Sequence, residues 1–476
     1  MPYIGPVMAN DDTHEDRAGG KTDGKRPRHQ PSFWARRLTD VYTVGAGGVA
    51  RVGAWWWKRS ERWSEESIRE RWTEELPPNP PPRPIWIHAA SMGEVRVGGY
   101  FAEAVTARGH NIVVSAMTET GYQLCGEVYP PGTTRFRVPF DLPDPMRRAF
   151  DHLNPRALVL IETEWWPNFL TVAASRDVPV FIVNGRLSEK AFRRYRMGSA
   201  YWRSILRPVR FFFMRTQEEA ERVLALGVDP WRVRAAGSLK VPTIGRRADR
   251  WEAVMEGVGI ETRPVWIAGC VRPGEESAIL EAYRVLRTEF PDLQLWMAPR
   301  HPDRFDKVAR IVRRSGFETA RWSELEPAGI TPPRGAVLLI DKMGILARLY
   351  PRAAVAFVGG SLRPYGGHNP LEPALAGAPV VFGPHMEQQR DAAELLIGLG
   401  TATEVSDAAS LRAAVAARLR SPEAVETRRR RARDLRERLI GIRDEVVDDL
   451  FAVLDALEGR ASDAECPVAD EQGTGD

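Results

Sequence analysis

Short apolar runs alternate with amphipathic helical patterns along most of this chain. A first series starts at PIWIHAA and extends to about residue 240, and a second series of similar size starts at PVWIAGC. Continuous apolar runs are typical of strands that are buried on both faces, as in a parallel sheet covered by helices. The sequence therefore predicts an α/β protein with two Rossmann-like, doubly wound domains that face each other across a cleft.

The runs that predict strands have the same character in both series. They are PIWIHAA, NIVVSAM, RALVLIE, VPVFIVN and RFFFMRT in the first series, and PVWIAGC, LQLWMAPR, AVLLID, AVAFVGG and PVVFG in the second. In a doubly wound sheet, ligands bind outside the carboxyl ends of the strands. Polar residues that directly follow these runs are therefore the candidates for a site.

The remaining parts of the chain differ in composition and set the expected domain limits. Residues 1–33 are polar and rich in Gly, Asp, Lys and Arg, which predicts a disordered leader. Residues 34–83 form a basic, Trp-rich, membrane-proximal segment that ends in the stiff proline linker LPPNPPPRP. We expect the Rossmann-like domains at 84–240 and 263–405, a hinge at 241–262, basic helices at 406–460 and an acidic tail at 461–476.

No apolar segment reaches the length of about 18 residues that a membrane span requires. The nearest segment, Leu38 to Ser60, is interrupted by Asp40 and Arg51. Its cluster Trp55 to Trp57 lies beside two cations, which is typical of a segment at a membrane interface. A helix packed on the domain through these tryptophans is the alternative. The three cysteines are far apart, which indicates a reduced, cytoplasmic setting without disulfides.

Acidic residues follow two predicted strands of the first domain. WIHAASMGEV passes from a strand through Gly93 into a helix, which places Glu94 at the cleft as a candidate general base. The alternative is that Glu94 only complements the helix dipole. In IETEWWPNF, Glu162 and Glu164 point the same way if the chain is extended, either as functional groups or as solvated loop acids. Lys240 in GSLKVP is suited to neutralise a leaving phosphate.

A basic and aromatic stretch extends from Asn184 to Arg215. It contains nine Lys or Arg residues and one Glu, interleaved with Phe, Tyr and Trp. Such a surface suits a polyanionic ligand, a nucleic acid or an anionic lipid headgroup. The alternative is an ordinary solvated helical face.

Candidate phosphate-binding residues recur at strand ends of the second domain. MAPRHPDRF ends a strand with Pro299 and Arg300, and a guanidinium can bind phosphate or carboxylate through two parallel hydrogen bonds. DKMGILARLY places Met343 and Gly344 at a turn from strand to helix. A surface ion pair is the alternative role for Arg300.

The stretch FVGGSLRPYGGHNPLEPALAG combines a glycine turn with a helix start. It predicts a helix with Asn369 as N-cap and Pro370 at the first position. We expect this helix start to bind a phosphate, and Glu372 to accept hydrogen bonds from ribose hydroxyls. The alternative is an ordinary capped helix. The recurrence of such residues at successive strand ends indicates a nucleotide site.

Together these motifs resemble the 3-deoxy-D-manno-octulosonic acid (Kdo) transferases of lipopolysaccharide synthesis. HAASMGEV, IETEWWPN, NGRLSEKAFRRY, GSLK, RPGEE, APRHPDRF, DKMG and FVGGSLRPYGGHNPLEPALAGAPVVFGPH occur in the order of that family, over roughly residues 55–455. The resemblance implies a GT-B glycosyltransferase that moves Kdo from CMP-Kdo to a lipid A precursor (lipid IVA), with inversion. It also implies no cofactor, no catalytic metal, and a location on the cytoplasmic face of the cell inner membrane, peripheral or anchored through the N-terminal segment.

The resemblance also implies roles for individual residues. Glu94 would be the proton acceptor, with Glu162 and Lys240 supporting the transition state. Residues 84–240 would bind the acceptor and 263–405 the CMP-sugar. Ile345 stands where the family usually has a Glu after Met-Gly. The implied CMP contacts are Pro299, Arg300, Met343, Gly344, Ile345, Asn369, Pro370, Leu371 and Glu372.

Two other functions are compatible with the residues themselves. One is a GT-B transferase that uses a UDP- or GDP-sugar. The other is a non-catalytic protein whose basic helices bind anionic lipid or nucleic acid, in which the acids would be dispensable. A nucleic-acid partner is not expected, because the sequence shows no recognition module for one.

Overall fold

The computed structural model describes residues 33–59, 64–242, 263–325 and 332–462. Residues 1–32 of the predicted leader, 243–262 of the predicted hinge and 463–476 of the predicted tail lie outside this range. The helices and strands of these segments form two consecutive α/β units. None of the helices in these four segments is long and apolar enough to cross a lipid bilayer.

The first unit contains seven parallel strands and the helices around them. The strands lie in the order β3-β2-β1-β4-β5-β6-β7. Strand order reverses between β1 and β4, which is the switch point where doubly wound sheets bind ligands. The elements are α1 (Phe33–Arg59), α2 (Glu65–Arg71), β1 (Ile85–Ala89), α3 (Met92–Ala107), β2 (Ile112–Ala116), α4 (Glu119–Val128), β3 (Thr134–Arg137), α5 (Pro143–Leu153), β4 (Ala157–Ile161), α6 (Pro167–Ser175), β5 (Val180–Gly185), α7 (Glu189–Met197), α8 (Ser199–Ile205), β6 (Val209–Met214), α9 (Gln217–Ala225) and β7 (Val233–Ala235).

The second unit repeats this architecture. Its seven parallel strands lie in the order β10-β11-β9-β8-β12-β13-β14, with the switch point between β8 and β12. The elements are β8 (Val265–Val271), α10 (Glu276–Glu289), β9 (Gln294–Pro299), α11 (Phe305–Arg314), β10 (Thr319–Arg321), α12 (Trp322–Leu325), β11 (Val337–Leu339), α13 (Leu346–Leu349), β12 (Val355–Val358), α14 (Leu371–Leu375), β13 (Val380–Phe382), α15 (Arg390–Gly398), β14 (Ala402–Glu404), α16 (Ala408–Arg420) and α17 (Val425–Ser462).

The fold class predicted from the sequence is confirmed, and the strands that were not predicted are all at the edges of the sheets. Every predicted strand is present, but β3, β7, β10 and β14 were not predicted. These four are the edges of the two sheets and have only three or four residues each. An edge strand pairs on one side only, and so short a segment gives almost no apolar pattern.

The N-terminal segment packs on the first unit. In α1, Ala35 and Thr39 are buried, the Thr39 hydroxyl lies 3.3 Å from the Tyr201 hydroxyl, and Thr43 donates to Asn168 at 3.1 Å. The part of α1 at residues 35–48 therefore packs on the first unit. The side chains of the tryptophan cluster at 55–57 lie outside the described part of the chain.

The long helix α17 joins the two units. Near its start, the buried Arg428 side chain donates to the carbonyl oxygens of Gly377 and Ala353 in the second unit. Further along, Asp448 and Glu458 accept hydrogen bonds from arginines of the first unit, and Phe451 stacks on a histidine of that unit. The C-terminal helix predicted as basic therefore binds the first unit through acidic residues near its end.

Candidate active site

Glu94 lies at the switch point of the first sheet. Helix α3 begins at Met92, with Ser91 as N-cap. Glu94 is therefore in the first turn, directly beyond the carboxyl end of β1. Its carboxylate accepts hydrogen bonds from the Ala90 N–H at 2.8 Å and from the Ser91 hydroxyl at 2.8 Å. A carboxylate has about four acceptor sites, so capacity remains to accept a proton from a bound hydroxyl.

The surroundings of Glu94 favour its protonated form more than water does. Its side chain is buried, and this burial raises the pKa of the carboxyl group. The hydrogen bonds from Ala90 and Ser91 oppose the shift, whereas the charge of Glu162 adds to it. A carboxylate with a raised pKa is a stronger base than an ordinary surface Glu, which suits it to accept a proton.

Glu162 and Lys240 form an ion pair beside Glu94. Lys240 Nζ lies 2.9 Å from Glu162 Oε1, and Asn184 Nδ2 donates to the same oxygen at 3.4 Å. The Oδ1 atom of Asn184 accepts from the Leu239 N–H at 2.9 Å, which holds the segment that carries Lys240 over the sheet. Sequence reasoning did not single out Asn184, although it ends a predicted strand just before a glycine.

Glu164 lies close to Glu94 and Glu162, but the backbone geometry that places it there differs from the prediction. The chain is not extended here, because Glu162 has a left-handed backbone with a φ of 64° and the residue after it continues the turn. The predicted geometry is therefore wrong, although all three carboxylates do lie close together. Burial and the charges of Glu94 and Glu162 raise the pKa of Glu164 to about 8, so that Glu164 is protonated near neutral pH.

The glycine turn of the second sheet does not leave its N–H groups free for a phosphate. Glu275, in the RPGEE motif, is fully buried and accepts hydrogen bonds from the N–H groups of Gly360, Ser361 and Leu362 at 2.8 to 2.9 Å. It also accepts from the Arg272 N–H at 2.8 Å. A carboxylate of the chain itself thus joins the loops after β8 and β12 across the second switch point.

Replacing Glu275 with Gln is expected to destabilise the second unit. One carboxylate oxygen becomes an NH₂ donor facing N–H donors, which removes charge-assisted hydrogen bonds from a buried site. We expect the free energy of unfolding to fall by about 3 kcal/mol, measured by urea titration.

The control for this measurement is Glu281→Gln. Glu281 lies on the exposed face of α10, the same helix that follows Glu275. An equal effect of both substitutions would contradict the role of Glu275.

The helix predicted after the glycine turn is present, and its start differs from the prediction by one residue. Helix α14 begins at Leu371, one residue later than predicted, and Pro370 is the N-cap position. Asn369 Oδ1 accepts from the Leu371 N–H at 3.0 Å, so this donor is also occupied. Burial raises the pKa of Glu372, and the nearby Arg300 opposes that shift.

The other predicted nucleotide contacts lie on neighbouring strand ends. Pro299 is the last residue of β9, and Arg300 directly follows it with a half-buried side chain. Met343 is exposed, and Gly344 has a left-handed φ of 80° in open space at the turn before α13. The Ile345 side chain is buried in the core. Ile345 can therefore contact a nucleotide only through its backbone.

No group of three or more His, Cys, Asp and Glu residues in the four described segments is arranged to hold a metal ion. The three acids of the first unit lie close together, but Lys240 and Asn184 occupy one oxygen of Glu162. The candidate site thus combines an acidic cluster and one lysine of the first unit with Arg300 and Glu372 at strand ends of the second unit.

A family model and two curated relatives identify the same family. Residues 61–243 match the family model described as 3-deoxy-D-manno-octulosonic-acid transferase (kdotransferase). The chain is 30% identical over 355 residues to a 3-deoxy-D-manno-octulosonic acid transferase from Haemophilus influenzae, covering 73% of this chain and 82% of that protein. It is 31% identical over 387 residues to one from Bordetella pertussis, covering 77% and 88%.

A solved structure supports the fold alone. A glycosyltransferase from Rickettsia africae matches with a TM-score of 0.52 at 10% identity, covering 78% of this chain and 99% of that one.

Proposed function

Because the chain belongs to the family of Kdo transferases, glycosyltransferases that transfer Kdo in lipopolysaccharide biosynthesis, we propose that its donor is CMP-Kdo and its acceptor a phosphorylated lipid A precursor. Glu94 is the general base of this reaction. The observation that carries the assignment is the buried Glu94 carboxylate at the first switch point, beside the Glu162–Lys240 ion pair.

The reaction is a single displacement at the anomeric carbon of Kdo. The acceptor hydroxyl gives its proton to Glu94 as its oxygen bonds to that carbon. At the same time the bond from the carbon to the CMP phosphate breaks, and CMP leaves with both bonding electrons. Attack from the face opposite the leaving group inverts the configuration. The Lys240 ammonium, held by Glu162, stabilises negative charge that develops in the transition state.

The donor nucleotide occupies the second unit. Arg300 contributes positive charge to the phosphate, and Glu372 accepts from the ribose hydroxyls. Met343 and Gly344 line the turn after β11, while Pro299, Asn369, Pro370 and Leu371 form the neighbouring walls. Ile345 contributes through its backbone alone, since its side chain is in the core.

The acceptor phosphates meet exposed basic residues of α7. Lys190, Arg194 and Arg196 are exposed on this helix. The helix lies beside the acidic cluster, because Trp165 in the loop between Glu164 and α6 stacks on Tyr195 with ring centroids 5.3 Å apart. This concentration of positive charge near the acidic cluster favours the binding of a phosphorylated lipid.

The acceptor is a membrane lipid, so the enzyme works at a membrane surface, which we propose to be the cytoplasmic face of the inner membrane. Helix α1 supports this location with an exposed apolar stripe of Leu38, Val41 and Val44, on the side away from Tyr201. Apolar side chains of this kind, with basic residues nearby, bind to the headgroup region of a bilayer.

The test of this function is incubation of the full chain with CMP-Kdo and a tetraacylated lipid A precursor. The product mass is expected to increase by one or more Kdo units. A UDP- or GDP-sugar in place of CMP-Kdo is the control and should give no product. An unchanged acceptor mass with CMP-Kdo would contradict the proposal, and so would transfer from the other donors.

The pKa of Glu164 predicts the alkaline limb of the pH profile. Below pH about 8 this carboxyl group is neutral, and above it the group adds a negative charge beside Glu94, in a site that must admit an anionic donor. Transfer by the wild type is therefore expected to fall above pH about 8, whereas Glu164→Gln stays active there. The measurement is the initial rate from pH 6 to pH 10 (approximate limits, about two units either side of the pKa). Identical alkaline limbs in both proteins would contradict this role.

A further inference from the structure

A group of cationic and imidazole side chains surrounds Gly360 at the second switch point. It comprises Arg272 after β8, Arg300 and His301 after β9, and His368 between β12 and α14. The backbone amides at this place are already occupied, since Glu275 accepts from the Gly360 and Ser361 N–H groups and Asn369 from the Leu371 N–H. An anion that binds here must therefore be held mainly by side chains.

Arg272 and His368 both lie close to Gly360. A Cβ atom at Gly360 would lie 3.1 Å from His368 Cδ2 and 3.4 Å from Arg272 Cγ. The Arg272 guanidinium also hydrogen-bonds to His301 Nε2 and lies 4.5 Å from the centre of the Tyr365 ring. These contacts hold the Arg272 guanidinium in place beside the second switch point.

The group has binding capacity that the described residues do not use. His368 Nε2 and Arg272 Nε are both buried, and neither has a hydrogen-bond partner in the described part of the chain. Among those same residues, no carboxylate forms an ion pair with Arg272 or Arg300. Buried polar groups are nearly always satisfied, so these two unpartnered nitrogens, close to guanidinium groups without an acidic partner, indicate a ligand.

The imidazole of His368 is suited to act as a neutral donor. Burial, together with the charges of Arg300, Arg272 and His301, lowers the pKa of His368 to about 4. At neutral pH one ring nitrogen carries a proton and can donate it to an anion without a second positive charge.

We propose that Arg272 and His368 bind the carboxylate of the Kdo sugar and so select an acidic sugar over a neutral one. This rests on the proposed function, in which CMP-Kdo carries two anionic groups on the anomeric carbon, the phosphate ester and the sugar carboxylate. Arg300 follows β9, one strand out from the switch point, and holds the phosphate near Glu372. Arg272 and His368 follow β8 and β12, the two strands that flank the switch point, and a planar guanidinium pairs with a carboxylate through two parallel hydrogen bonds.

The test compares the binding of CMP and CMP-Kdo, without acceptor, to the full chain and to its Arg272→Gln and His368→Leu variants. Each variant is expected to weaken CMP-Kdo binding about tenfold or more and CMP binding less than about threefold. The measurement is the Kd by titration calorimetry, with thermal unfolding of each variant as a check of folding. Arg363→Gln, an exposed arginine on the same loop, is the matched control and should change neither Kd.

Other outcomes separate this inference from the proposed function. If a folded variant loses CMP and CMP-Kdo affinity equally, the two side chains bind the phosphate and the carboxylate assignment is wrong. Unchanged CMP-Kdo affinity in both variants would also overturn it. If the wild type itself binds CMP-Kdo no better than a UDP-sugar, the proposed donor is wrong. For His368, a Gln variant that keeps a donor should recover part of the affinity lost in the Leu variant.

Discussion

Replacement of Glu94 by Gln is expected to lower the rate constant of Kdo transfer by a factor of about 10² to 10⁴, the usual contribution of a general base. Gln cannot accept the proton, but it keeps an oxygen that can bind the Ala90 N–H or the Ser91 hydroxyl. The start of α3 should therefore remain folded. The measurement is single-turnover transfer with saturating CMP-Kdo, together with the Kd for CMP, which should not change.

Two further variants make the Glu94 experiment decisive. Glu94→Ala also abolishes transfer, and it removes both hydrogen bonds at the helix start, so any stability loss beyond that of Gln reports the capping role alone. Glu127→Gln, on the exposed face of α4, is the matched control and should retain wild-type turnover. Unchanged turnover in Glu94→Gln would mean that another group accepts the proton.

Removal of the Lys240 ammonium, as in Lys240→Met, is expected to lower the transfer rate about 100-fold. The ammonium is 2.9 Å from Glu162 and partly buried, so its charge acts with less screening than on the surface. Glu162→Gln should have an effect of similar size, because Lys240 then loses the group that positions it. The measurement is the transfer rate at saturating donor and acceptor.

The double variant distinguishes a coupled pair from two separate contributions. If Glu162 positions Lys240, the loss in the double variant is much smaller than the product of the two single losses. Independent, multiplicative losses would contradict the coupling. A change in acceptor KM with unchanged kcat would show that the pair binds substrate and does not support the transition state.

The positions of Glu94 and Glu162 could be predicted because parallel strands share one carboxyl edge. Each residue directly follows a strongly apolar run, and β1 and β4 are neighbours in the sheet. The position of Lys240 could not be predicted in this way. It follows β7, the edge strand, and β5 and β6 separate that strand from β4. Only the folding of residues 236–240 back over the sheet, fixed by the Leu239 N–H to Asn184 bond, brings the lysine to Glu162.

The hydrogen bonds of Glu275 in the second unit could not be predicted from the sequence either. The RPGEE motif is visible in the sequence, but its carboxylate bonds to N–H groups 85 to 87 residues later. The sequence predicted that the helix start after this glycine turn binds a phosphate, and it gave no sign that the amides of the turn are occupied. Because β8 pairs with β12, the Glu275 carboxylate lies at those amides and occupies them. The side chains around Gly360 are therefore the candidates for binding an anion.

The sequence by itself determined the α/β class, the central strands and the strand ends that carry the acids, because burial on both faces leaves a local apolar pattern. It also determined the family, through motifs in a characteristic order. The tertiary structure decided the edge strands, the joining of the two units by α17, the Glu162–Lys240 pair and the occupied amides of the glycine turn. These features depend on hydrogen bonds and ion pairs between residues far apart in the chain, which form only once strand order has placed them together.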